Sequence, residues 1–203
     1  RQRQMCIRDR AGVERVGPAV QVDSTLRTTG RGIWAAGDVT GGPQFTHVAD
    51  HMAKTVLRNA LFPLRKKVDY GNIPRVVYTD PELAHVGLSH EESRAKGGVT
   101  YSYSFQDLDR AIVDGESRGF VKVTADRRGR ILGATILGHG AGELIAPLVL
   151  ARGNGLPLDR ISNTVFPYPT RSEGLKRAAD AYQRARLEGG AGKLLKKVVS
   201  WLK

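Results

Sequence analysis

The chain has 203 residues, 40% of them hydrophobic, with one cysteine and a formal net charge of +12. That length suits one domain or one and a half with a packed core, and the lone Cys6 excludes an internal disulfide, a CxxC pair and a cysteine-based zinc site. No apolar run approaches the ~20 residues of a membrane span, and no RNA-binding aromatic pattern, finger or helix-turn-helix signature accompanies the basic charge, so no nucleic-acid partner is expected.

The first ten residues, RQRQMCIRDR, lack the apolar centre of a signal peptide. They resemble adapter read-through, so residues 1–10 are expected to be non-native or disordered and the chain to be the C-terminal piece of something longer. Cysteine scarcity points to a reducing, cytoplasmic setting. PAVQVDSTLRTT reads as an edge passage. GIWAAGDVT, Gly32 to Thr40, is apolar on both faces and suits a buried parallel strand. GGP breaks it, and FTHVADHMAKTVLRNALF follows with Phe45, Val48, Ala49, Met52, Ala53, Val56, Leu57 and Ala60 at helical spacing, until Pro63. Residues 65–72 form a polar connection and a candidate boundary.

From Ile73 the texture changes. RVVYT reads as a strand and TDPELAHVG as a turn. SHEESRAKGG reads as a helix with Ser89 at the N-cap, Glu92 completing a capping box and Gly97 at its end. VTYSYSF alternates like a half-buried strand. FVKVTAD and ILGATILG are two more, joined by a DRRGR turn. GHGAGE is a strand-to-helix turn, since it lacks the Gly-Lys-Ser/Thr ending of a phosphate loop. ELIAPLVLARGNG reads as a helix, and SEGLKRAADAYQRARL follows the VFPYPT turn as another. Short antiparallel strands with helices beside them define an α+β domain. After a GGAG hinge, KLLKKVVSWLK is amphipathic. It suits either a helix on an anionic membrane surface, residues 193–203, or one packed on the protein itself.

An acidic residue at the carboxyl end of a parallel strand is where open α/β sheets bind ligands. Asp38 follows Gly37 at such a place, and a turn is the plain alternative. The helix beginning near Phe45, Thr46 and His47 favours negative charge at its amide end by about 0.3–1 kcal/mol. His47 and His51, four apart, share a face, but no third ligand presents itself, so no metal site is expected.

TTGRGIWAAGD followed by FTHVADHMAKT resembles the second FAD-binding segment of two-dinucleotide-binding-domain flavoproteins. Residues 11–186, with IPRVVYTDPELAHVGLSHEESRAKG and ILGATILGHGAGELI, resemble the C-terminal part of the pyridine nucleotide–disulfide oxidoreductases. The resemblance implies a remnant of an FAD-binding domain over 11–66 and a dimerisation domain over 70–187, with a hinge and tail at 188–203. It implies that Gly37 and Asp38 contact FAD, Asp38 holding the ribityl chain. Phe45, Thr46 and His47 would open the helix facing the flavin. It also implies a homodimer, NAD(P)H as electron donor and a small-molecule, thiol or metal-ion acceptor. VFPYPTRSEG resembles the family's His-Pro-Thr-x-x-Glu active-site loop, with Tyr168 at the histidine position and Glu173 at the glutamate position. Tyrosine titrates near 10, so only about one in a thousand is ionised at pH 7. An unperturbed Tyr168 is a poor base for a thiol. It suits a hydrogen bond or a soft cation, in the manner of a mercuric-reductase-like branch, although this chain ends SWLK and not in a cysteine pair. The alternatives are a tyrosine that merely packs a turn and a non-catalytic dimerisation module with a vestigial flavin site, peripheral on the membrane through its tail.

Overall fold

The computed structural model describes residues 10–189. The expectations for the first nine residues and for most of the hinge and the tail lie outside them. The chain divides into two compact units between Tyr70 and Gly71.

In the first unit, β1 (Arg15–Val16) and β2 (Ala19–Val20) form a short antiparallel hairpin, and α1 spans Thr46–Leu61. Asp23 shapes the loop after β2 by accepting from the amides of Thr25 and Arg27 at 2.8 and 3.1 Å, a local bond pattern that aspartate favours. The GIWAAGDVT run does not form the buried strand its apolar texture suggests. Trp34 bridges Arg27, the Thr28 amide donates to the Ile33 carbonyl at 3.0 Å, and Asp38–Thr40 closes into a 3-10 turn. A strand persists only where neighbours complete its backbone hydrogen bonds, and among the described residues the run's ladder-like backbone bonds go to Leu26–Thr28 alone. Ile33, Ala35 and Ala36 accordingly line an open apolar cleft of about 510 Å³ with Val13 and Val20.

Helix α1 also turns differently from its apolar stripe. It buries Val48, Met52, Thr55 and Asn59, while Ala53, Leu57 and Ala60 face outward. Asn59 is the reason. Its amide nitrogen donates to the carbonyls of Thr25 and Lys66 at 3.1 and 2.7 Å, and its oxygen accepts from the Lys66 amide at 2.7 Å. A buried amide side chain must be satisfied, so the helix presents that side inward. Helical structure ends at Leu61, two residues before Pro63.

The second unit is built on an antiparallel sheet of β3 (Arg75–Val77), β4 (Leu83–Gly87), β5 (Val99–Ser104), β6 (Phe120–Ala125) and β7 (Ile131–Leu137), in the order β3-β4-β7-β6-β5. Strand β4 replaces most of the turn expected over TDPELAHVG. Its turn is confined to 79–82, and Ala84 and Val86 then alternate into the core. The capping box at Ser89 and Glu92 opens α2 (His90–Ala95), and Gly97 leaves that helix at φ 75°. A 3-10 turn over Phe105–Asp107 leads into α3 (Asp109–Val113). The helix expected after GHGAGE is two helices, α4 (Ala141–Leu144) and α5 (Ala146–Gly153). Pro147 cannot donate to the preceding turn, so it begins a helix and does not sit inside one. Helix α6 covers Leu158–Ser162 and α7 Glu173–Glu188.

The core sits between one sheet face and the helices. Ala84, Ile136 and Val121 stand side by side across the sheet, as do Val86, Ala134 and Val123, and all six are buried. Helix α7 seals them with Leu175, Ala178, Ala179 and Tyr182, at the helical spacing the sequence shows. Burying each large apolar side chain contributes about 1.5–3 kcal/mol. Tyr182 meets Tyr101 of β5 edge to face, with ring centres 5.3 Å apart. Gly133 in β7 pairs with Gly87, and a Cβ there would lie 2.0 Å from the Leu88 carbonyl oxygen. Gly133→Ala is therefore expected to lower the unfolding free energy by ~1–3 kcal/mol, read as a lower urea midpoint at unchanged slope.

Candidate functional site

The sequence-predicted site residues fall in two groups, one in each unit. In the first unit, Gly37 is buried at φ 79°, a left-handed conformation that glycine adopts without strain. A Cβ on it would stand 3.2 Å from the Cβ of Ala49. The chain thus passes Gly37 directly against the first turn of α1, and Asp38 emerges exposed beside it. Phe45 is the N-cap of α1 and supplies no side-chain cap, and the first turn holds no acidic residue. The positive end of the helix dipole is left to an anionic neighbour. The His47 ring stacks on Phe45 at 5.2 Å between centres, and Thr46 is exposed. Among the described residues no three His, Cys, Asp or Glu side chains converge as metal ligands.

In the second unit, the Pro-Tyr-Pro loop leads into the N-terminus of α7. The peptide before Pro169 is cis, and the Thr170 hydroxyl folds the loop on itself by donating to the Pro167 carbonyl at 2.7 Å. Tyr168 stands 69% exposed. Its hydroxyl donates to the Asp109 carboxylate of α3 at 2.8 Å. Glu173 is the first residue of α7, and its carboxylate accepts from Arg177 one turn later, at 2.6 and 3.1 Å. Tyr168 and Glu173 are near enough to sense each other's charge, yet each has its own partner. The phenol is held above its ordinary titration range by the hydrogen bond to Asp109 and by that carboxylate's charge. Burial and the Glu173 charge push the same way, and Arg177 opposes them. Glu173 in turn raises Arg177 further above the guanidinium's ordinary value.

A second tether holds the loop. Arg171 donates to the Asp114 carboxylate at 2.9 Å and to the Glu116 carbonyl at 3.2 Å, and Arg110 donates to the same carboxylate. Asp109, Asp114, Arg171 and Arg177 were not among the residues read from the sequence. The Glu173–Arg177 pair has a signal there, opposite charges four apart on a helix. The pairs Asp109–Tyr168 and Asp114–Arg171 join residues 59 and 57 apart, and nothing local announces them.

Residues 73–179, just over half of the chain, match the family described as the pyridine nucleotide-disulphide oxidoreductase dimerisation domain. The chain belongs to this family. Its five-stranded antiparallel sheet with helices is the architecture of the family's dimerisation domain. The chain is 39% identical over 181 residues to a mercuric reductase of Streptomyces lividans, covering 84% of this chain and 38% of that protein. It is 37% identical over 175 residues to dihydrolipoyl dehydrogenase 3 of Haloarcula marismortui, covering 84% of this chain and 36% of that one. Among solved structures it resembles the HOCl-induced flavoprotein disulfide reductase RclA from Escherichia coli, with TM-score 0.81 and 31% identity over 85% of this chain and 41% of that chain. The chain therefore spans about two fifths of the length of these relatives. Among the described residues no helix is long and apolar enough to cross a membrane.

The clamp on this family member's loop is testable through pH. The Asp114 carboxyl is held below its ordinary range, first by the Arg110 hydrogen bond and, against the pull of burial, by Arg171. A depressed folded value stabilises above the unfolded value near 3.9, and the effect is lost as pH falls through the folded one. Protection of the Glu173, Gly174 and Leu175 amides against hydrogen exchange should therefore fall as the pH drops below about 4. Asp114→Asn should reproduce that loss, several-fold, at neutral pH.

Proposed function

We propose that this chain is the C-terminal part of an FAD-dependent NAD(P)H oxidoreductase that works as a homodimer. Family membership through a dimerisation domain supports the dimer. Its likeness to a mercuric reductase, to a dihydrolipoyl dehydrogenase and to the flavoprotein disulfide reductase RclA supports the cofactor and the reaction class. The observation that carries the reading is the pairing of a tightly placed Gly37–Asp38 step with the uncapped end of α1.

These residues fit the flavin. Gly37 allows a close approach, Asp38 offers an exposed carboxylate to ribityl hydroxyls, and Phe45, Thr46 and His47 open a helix whose dipole favours an anionic ring edge. FAD, when bound, would relay electrons between a nicotinamide and the terminal acceptor. On the Pro-Tyr-Pro loop, Tyr168 presents its oxygen to the acceptor and Glu173 holds the loop's entry to α7 through Arg177. A phenol held above its ordinary titration range stays protonated through neutral pH, so this loop positions or binds the acceptor and does not serve as a resting base. A metal-ion acceptor is compatible with that role. RclA from Escherichia coli has been solved as a Cu(II) complex, and phenol oxygens bind cations.

The test is the complete reading frame, expressed and purified. It is expected to carry FAD and to oxidise NAD(P)H, while the 203-residue chain by itself binds FAD weakly or not at all. Tyr168→Phe should lower turnover of the acceptor roughly tenfold, the worth of one lost hydrogen bond of ~1.4 kcal/mol. Flavin reduction by NAD(P)H should be unchanged. A full-length protein without flavin would remove the reading.

A further inference from the structure

We propose that Asp109 is the positioning residue for Tyr168: its carboxylate takes the phenolic proton's hydrogen bond, so that the Tyr168 oxygen faces outward with its lone pairs free to accept. This rests on the reading of Tyr168 as the loop's site residue. An ionised carboxylate only accepts, so the O–H at 2.8 Å must point at Asp109. A phenol has a single proton, and with that proton committed the remaining lone pairs turn away from α3. Tyr168 is 69% exposed, so those lone pairs are accessible. The group such an oxygen recognises is a hydrogen-bond donor, of which the thiol S–H of a dithiol substrate is one.

The neighbouring charges favour this arrangement. Asp109 from α3 and Glu173 and Arg177 from α7 are the charged groups that act on the phenol. Arg177 is bound to Glu173 by two hydrogen bonds, which leaves Asp109 as the carboxylate without a guanidinium on the Tyr168 side. The charge of Asp109 makes phenolate costly beside it, so the dyad keeps its proton. Hydrogen bonding to a charged acceptor also strengthens the oxygen as an acceptor in turn. Tyr103, whose hydroxyl donates to the Asp107 carbonyl at 2.6 Å, is also pushed up, first by burial; it shares the Asp109, Glu173 and Arg177 charges with Tyr168 and adds that of Asp107. It therefore serves as an internal comparison that lacks the Asp109 bond.

The experiment uses the 203-residue chain with ring-labelled tyrosine. Alkaline titration is followed by the tyrosine Cζ resonances, with the Tyr168 signal assigned through Tyr168→Phe. In the unsubstituted chain Tyr168 is expected to titrate above the ordinary tyrosine value near 10. Asp109→Asn should bring it down toward that value, Glu173→Gln should move it less, and Asp109→Glu, which keeps the carboxylate, should restore part of the shift. A purely structural role at the start of α3 would alter stability without that order. An ordinary titration of Tyr168 in the unsubstituted chain would overturn the proposal, and that measurement needs no variant to fold. So would Asp109→Asn with Tyr168 unmoved, or Glu173→Gln with the larger effect. No flavin enters the experiment, so a full-length protein without FAD would refute the oxidoreductase reading and leave this result standing.

Discussion

Helix α7 lies on the sheet through Leu175, Ala178, Ala179 and Tyr182, and the Pro-Tyr-Pro loop depends on that contact. The two alanines let the helix axis come close to β5 and β6, and Leu175 and Tyr182 fill the space at either side of them. Gly174 beside Phe105, 3.1 Å from a would-be Cβ, shows how close the approach is at the N-terminal turn. Interiors packed to this density transmit position. Glu173, one residue earlier, is thereby fixed relative to the sheet, and the loop that precedes it begins from a rigid point.

The loop is then held from its other side by α3 and the turn after it. Asp109 takes Tyr168, and Asp114 with the Glu116 carbonyl takes Arg171. Two acidic side chains thus act on one short segment, Asp109 accepting from the Tyr168 phenol and Asp114 from the Arg171 side chain. Glu173 is kept out of both by Arg177. The separation matters chemically. If the guanidinium faced Tyr168, it would stabilise phenolate and lower its titration. With Arg177 drawn to Glu173, the carboxylate of Asp109 dominates and the phenol keeps its proton.

Much of the second unit was legible in the sequence because its signals are local. The Ser89–Glu92 capping box, the Gly97 helix end, the alternation of VTYSYSF in β5 and the strand runs of β6 and β7 each arise within one element. Where the reading departs, the cause is non-local or sterically specific. LAHVG looks like the tail of a turn until β7 offers Gly133 to Leu137 as a ladder. GIWAAGDVT has the apolar texture of a buried strand, but among the described residues only Leu26–Thr28 offers it ladder-like backbone hydrogen bonds. Helix α1 turns its Asn59 side inward because two carbonyls and an amide from distant residues meet there.

The sequence by itself determined the family, the α+β architecture and which residue types occupy the candidate sites, since motif order and periodicity are properties of the chain. It identified Tyr168 and Glu173 as the loop's polar groups. Only the tertiary structure decided their partners. Asp109 and Tyr168 are 59 residues apart, and a hydrogen bond at that separation exists only after β5, β6 and α7 have assembled and brought α3 to the loop. The protonation of the phenol follows from that placement, because the field at an oxygen is set by the charges around it in space and not by those beside it in the chain.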